Sequence, residues 1–104
     1  TIQQKNGKPF SKQISLKDIS AGGCRAEVFP ADTPIQIGDD LRGDLNIEGY
    51  DPIFIHMMVR HVAKTTEKTH ILVGIEFHKT PLRIQDRLVS LVMDLYKLNY
   101  KRPI

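Results

Sequence analysis

Two runs in the second half of the chain leave little freedom in how it folds. Ile53, Ile55, Met57 and Val59 alternate with Phe54, His56, Met58 and Arg60, and Ile71, Val73, Ile75 and Phe77 recur at the same spacing. A period of two sends successive side chains to opposite faces of an extended backbone, so both runs predict β-strands with one buried face. After Val59 the apolar phase slips to Val62, which predicts a bulge or a strong bend. Thr1 to Lys5 and Ser11 to Ile19 are strand candidates around the turn Asn6-Gly7-Lys8-Pro9, an Asn-Gly hairpin signal that Pro9 would loosen. Arg25 to Phe29 is a third strand, stopped by Pro30, and Leu41 to Ile47 a fourth, with Leu41, Gly43, Leu45 and Ile47 on one face. Six short strands separated by turns predict an antiparallel β-barrel or sandwich.

The texture changes at Thr80-Pro81. Threonine at an N-cap followed by proline at the first helical position is a helix-start signature, and a helix over about 81–98 is expected. Leu88, Leu91, Val92 and Leu95 fall at i, i+3, i+4 and i+7 and make one apolar stripe. A second row, Val89, Met93, Tyr96 and Tyr100, widens that face beyond what one sheet contact needs. Such a face either packs deeply across the barrel mouth or meets a partner: an adjacent domain, another protein, or a second copy of the chain as a homodimer.

With 104 residues there is room for a single domain and one core, so 1–104 is read as one unit. It starts without a methionine and reads as a fragment of something longer. Hydrophobic residues at 40% and charged residues at 26% are ordinary for a globular chain. One cysteine excludes an intrachain disulfide and any CxxC motif, and fits a reducing, cytoplasmic setting. No apolar run approaches the roughly 20 residues that span a bilayer. A net charge of +3, seven aromatic residues and no Trp do not make a DNA or RNA surface, which needs dense Arg/Lys stripes and stacking platforms.

The stretch richest in chemistry is Asp18-Ile19-Ser20-Ala21-Gly22-Gly23, set between two alternating runs. A carboxylate, a hydroxyl and two glycines thus sit where one strand hands over to the next. Asp and Ser can close such a turn on their own backbone. Alternatively, the glycines supply positive φ or let a ligand approach the main chain. Nothing resembles a catalytic centre or a metal site. His56, His61, His70 and His78 lack ligand spacing, Ser20 has no GxSxG context, Cys24 alternates inward with Ala26 and Val28, and no phosphate-binding glycine loop occurs.

Taken in order, these parts resemble the PilZ domain, a bacterial module that binds the second messenger cyclic di-GMP. Its D/N-x-S-x-x-G motif is matched by Asp18, Ser20 and Gly23, its terminal-strand G-[I/V]-x-F by Gly74-Ile75-Glu76-Phe77, and its C-terminal helix by Leu82 to Leu98. The long helix is most similar to the flagellar-brake type. The resemblance implies a non-enzymatic six-stranded antiparallel split barrel with a C-terminal α-helix. It further implies a cyclic di-GMP site at Asp18, Ser20, Gly22 and Gly23, with no cofactor, and an output in motility or in exopolysaccharide and biofilm formation. The carboxylate suits the N1–H and N2–H donors of guanine, and the hydroxyl can donate or accept. The family's R-x-x-x-R arm, which grips phosphates and guanine edges, is not within this sequence ahead of the first strand, so either it lies upstream of the fragment or the domain lacks it; Arg83 and Arg87 repeat the spacing in the helix, the wrong place. Without an arm the two phosphate charges lack guanidinium partners and affinity should be poor. A degenerate module that binds protein and no nucleotide is the alternative.

Overall fold

The computed structural model describes the backbone of residues 1–100 and the side chains of residues 1–97. Strand β1 (Ile2–Lys5) and strand β2 (Lys8–Lys12) form the expected hairpin. Asn6 and Gly7 have φ of 53° and 79°, both positive, as a two-residue turn matched to strand twist requires. Pro9 does not loosen it. β2 is an edge strand, where a residue without an N–H is tolerated.

The expected strand from Ser11 to Ile19 is two strands. β2 ends at Lys12, and β3 (Ser15–Ser20) begins after Gln13 and Ile14. The remaining strands are β4 (Gly23–Val28), β5 (Asp40–Leu45), β6 (Ile53–Lys64) and β7 (Ile71–Phe77). All seven join one antiparallel sheet in the order β2-β1-β5-β6-β7-β4-β3. The physical reason for the split lies in that order. β2 pairs with β1 and β3 pairs with β4 at opposite edges of the sheet, so a straight strand cannot serve both. Gln13 and Ile14 carry the chain across the seam between the edges, with Ile14 packed on the core. Among the described residues no ladder joins β2 to β3. The barrel is therefore open, with seven strands in place of the six expected.

Its interior follows the alternation. Cys24, Ala26 and Val28 of β4, Ile53, Ile55, Met57 and Val59 of β6, and Ile71, Val73, Ile75 and Phe77 of β7 are all buried. The phase slip after Val59 is a bulge: Val59 stands opposite Ile75 and His61 opposite Gly74, leaving Arg60 as the extra residue. Helix α1 (Leu82–Tyr100) begins with the Pro81 carbonyl accepting from the Gln85 amide at 2.9 Å, so Pro81 takes the cap position and the helix starts at the next residue. It lies against β3. Leu88 and Leu91 are buried, Val92 and Leu95 half-buried, and Val89, Met93 and Tyr96 exposed. The first stripe is thus the packing face and the second row is not. Tyr100 lies outside the described side chains. No helix among the described residues is long and apolar enough to cross a membrane.

This division of the helix has a direct test. Leu91→Asp would bury an unpaired carboxylate, at a cost of several kcal/mol, and should unfold or strongly destabilise the domain. Met93→Asp is expected to stay within about 0.5 kcal/mol of the parent in chemical denaturation and to change self-association or interdomain contact instead. Equal destabilisation of both variants would place both rows in the core.

Candidate ligand groove on the outer face

Strand parity alone would send Leu16, Asp18 and Ser20 to one face. The structure does otherwise. Leu16 pairs with Ala26 but Asp18 with Arg25, so Lys17 is an extra residue in β3. This bulge reverses the phase: Leu16 and Ile19 turn to the core, while Asp18 and Ser20 are exposed on the outer face. There they line an open groove with Gly22, Gly23 and Arg25, and with Arg60, His61 and Glu76 from the neighbouring strands. The second bulge acts in the same way, since Val59 is buried and both Arg60 and His61 face out. Bulges commonly re-aim side chains next to functional sites. One row crosses four strands in register, running Asp18, Arg25, Gly74, His61.

The groove's charges are paired. Arg25 donates from Nε to Asp18 Oδ2 at 2.7 Å and from Nη2 to the same oxygen. The hydrogen-bonded guanidinium holds the Asp18 carboxyl below the ordinary carboxylate range, and Asp18 in turn raises Arg25. Arg60 Nε donates to Glu76 Oε2 at 2.8 Å. The Ser20 hydroxyl donates to the Gly23 carbonyl at 3.3 Å, a local contact of the kind a turn closer makes. Beneath this surface, burial pushes the Cys24 thiol up to about 12, so it stays protonated and inert at neutral pH.

The two motif glycines differ in their reasons. Neither has the positive φ that the sequence allows for, which among the described glycines occurs at Gly7, Gly38 and Gly49. A Cβ on Gly23 would collide with the Ile75 carbonyl oxygen, so glycine is required there by the β4–β7 contact. A Cβ added at Gly22 would meet nothing within 4 Å, so this side of its backbone forms an open lip. Its carbonyl accepts from the Phe77 amide at 2.9 Å, which ties the turn to the end of β7.

The histidines are dispersed. His56 donates from Nε2 to Asp40 Oδ2 at 2.7 Å and meets His78 edge to face, His70 stacks on Phe29, and among the four His61 reaches the groove. Arg87 reaches the Asp51 and Pro52 carbonyls at 3.4 Å, in a separate depression between α1 and the loop before β6. Arg25, Arg60, His61 and Glu76 were not singled out from the sequence as groove residues. The slip after Val59 was the one local signal for two of them.

The sequence matches the PilZ domain family over residues 1–94, and the chain belongs to that family of cyclic di-GMP receptors and effectors. Two solved structures share the fold. The Bacillus subtilis inhibitor of motility (MotI/DgrA) is 22% identical with a TM-score of 0.65, over 81% of this chain and 41% of its own length. MrkH of K. pneumonia in its apo state is 19% identical with a TM-score of 0.61, over 93% of this chain and 44% of its own. The chain thus spans less than half the length of either. A comparison with curated proteins gave no match.

The glycines separate fold from groove experimentally. Gly23→Ala must push β4 from β7, and overpacking of this kind costs about 1–3 kcal/mol or more. Gly22→Ala should stay within about 0.5 kcal/mol of the parent in denaturant titration. Similar stability for both variants would show that β4 relaxes around a Cβ at position 23.

Proposed function

We propose that the chain is a cyclic di-GMP receptor domain, a regulatory binding module and not an enzyme, that seats one guanine of the dinucleotide over Asp18, Ser20, Gly22 and Gly23. The observation that carries this reading is an exposed carboxylate kept ionised beside a hydroxyl and an open glycine lip in one groove. Both Arg25 side-chain bonds converge on Oδ2, so Oδ1 accepts none of them. A guanine N1–H and N2–H pair matches that acceptor, and family membership supplies the ligand class. The groove's two arginines each face an acid, so these residues alone are expected to bind weakly and with strong salt dependence. An R-x-x-x-R arm of the family type would supply the phosphate partners.

The signal would leave through α1. That helix rests on β3, the strand that carries Asp18, and its exposed Val89, Met93 and Tyr96 offer an apolar surface to a protein partner or adjacent domain. The B. subtilis neighbour is an inhibitor of motility, which supports motility as the output. A cytoplasmic location follows from this reading. The competing view, a protein-binding module without nucleotide, draws on the existing Asp18–Arg25 bond and on Ser20 closing its own turn.

Asp18→Ala and Ser20→Ala decide between them. Each loses a polar contact to guanine, and hydrogen bonds to charged groups are worth about 1.5–3 kcal/mol, so calorimetric affinity for cyclic di-GMP should fall roughly ten- to a hundredfold at unchanged melting temperature. Normal affinity with a depressed melting temperature would assign both residues to the turn and remove them from the site.

A further inference from the structure

We propose that Arg25 is a specificity residue of the groove, reading the O6 and N7 acceptors of the guanine whose N1–H and N2–H face Asp18. This rests on the receptor reading above and adds a residue outside the D-x-S-x-x-G motif. The geometry is that of a preassembled pair. Asp18 and Arg25 are direct cross-strand partners, both on the outer face, with side chains 50% and 73% exposed. Nε and Nη2 both serve Oδ2, so the side-chain bonds leave the guanidinium's Nη1 edge turned away from the carboxylate.

Guanine carries the complement of that arrangement in one plane. Its N1–H and N2–H donors adjoin its O6 and N7 acceptors, and a planar guanidinium fork suits O6 and N7 in particular. Adenine presents the reverse, an N1 acceptor toward the carboxylate and an N6 amino donor toward the guanidinium, so the pair would repel it as well as fail to bind it. The place for the base is the groove floor at Gly74, which stands next to Arg25 in the same row. The His61 side chain packs over that glycine, its Cβ 3.1 Å from the place a Gly74 Cβ would take. A planar ring seated there would lie against the His61 side chain, with its edge turned to Arg25 and Asp18. Arg60 is held by Glu76 and leaves Arg25 as the guanidinium in direct register with the motif carboxylate.

The test removes one acceptor atom at a time from the ligand. Calorimetry on the intact protein compares cyclic di-GMP with its 7-deazaguanine analogue, in which a C–H replaces N7, for the parent, Arg25→Ala, Arg25→Lys and Asp18→Ala. The parent should bind the analogue about tenfold or more weakly, the size of one charge-assisted hydrogen bond. Arg25→Ala and Arg25→Lys should bind both ligands alike, since lysine keeps the charge but not the fork. Asp18→Ala should weaken both ligands. A parent that binds cyclic di-GMP in an Asp18-dependent way but is indifferent to N7 overturns the role of Arg25 alone. So does an Arg25→Ala protein that still discriminates. A parent that binds no cyclic di-GMP, or binds it equally well without Asp18, overturns the receptor reading and the Arg25 proposal together.

Discussion

Side chains alternate across a β-strand, so the residue parity of β3 decides which of its groups solvent can reach. Leu16, Asp18 and Ser20 share a parity, and a regular strand would place all three on the face of Leu16, which packs on the core. One surplus residue at Lys17 shifts the phase, keeps Leu16 and Ile19 on the hydrophobic side and delivers Asp18 and Ser20 to the outside. The arrangement avoids burying a charge without a partner, which would cost far more than one irregular ladder step. A matching surplus at Arg60 in β6 turns Arg60 and His61 outward two strands away from β4. The groove is what lies between the two irregularities.

Within it, electrostatics prepare the surface without contributing much to stability. The Asp18–Arg25 and Arg60–Glu76 pairs are solvent-exposed, and such ion pairs stabilise folds little. Their value lies in orientation. A guanidinium bound to a carboxylate is held in one geometry before any ligand arrives, which lowers the ordering cost of binding. The same pairing leaves the groove nearly neutral, so the phosphates of an anionic ligand find little net attraction there. On the proposed reading, recognition of the base and attraction of the phosphates are thus separate tasks, with residues 18–25 serving the first.

The helix is tied to the groove through one strand. Leu88 and Leu91 anchor it in the core, and its contact with β3 places it on the strand that also presents Asp18. Of the second row, Val89 and Met93 are exposed, while Tyr96 lines a depression with Leu16, Asp18 and Val92.

Local periodicity was legible from the chain alone. The alternation in β6 and β7, the phase slip after Val59, the Asn-Gly hairpin and the stripe through Leu88 and Leu91 depend on residues a few positions apart, and each is present, the hairpin with a tighter turn than Pro9 suggests. The Asp18-to-Gly23 motif was legible too, as chemistry with an open choice between turn and ligand. What needed the tertiary structure was registry between distant segments. No local signal divides Ser11 to Ile19, because the division arises from pairing with β1 on one side and β4 on the other. The requirement for glycine at 23 comes from the Ile75 carbonyl more than fifty residues away, and the approach of Arg60, His61 and Glu76 to the motif comes from the strand order β6-β7-β4-β3. Periodicity is a property of one segment and can be read along it; the groove is a property of four segments laid side by side, and only their hydrogen-bonded register brings its residues together.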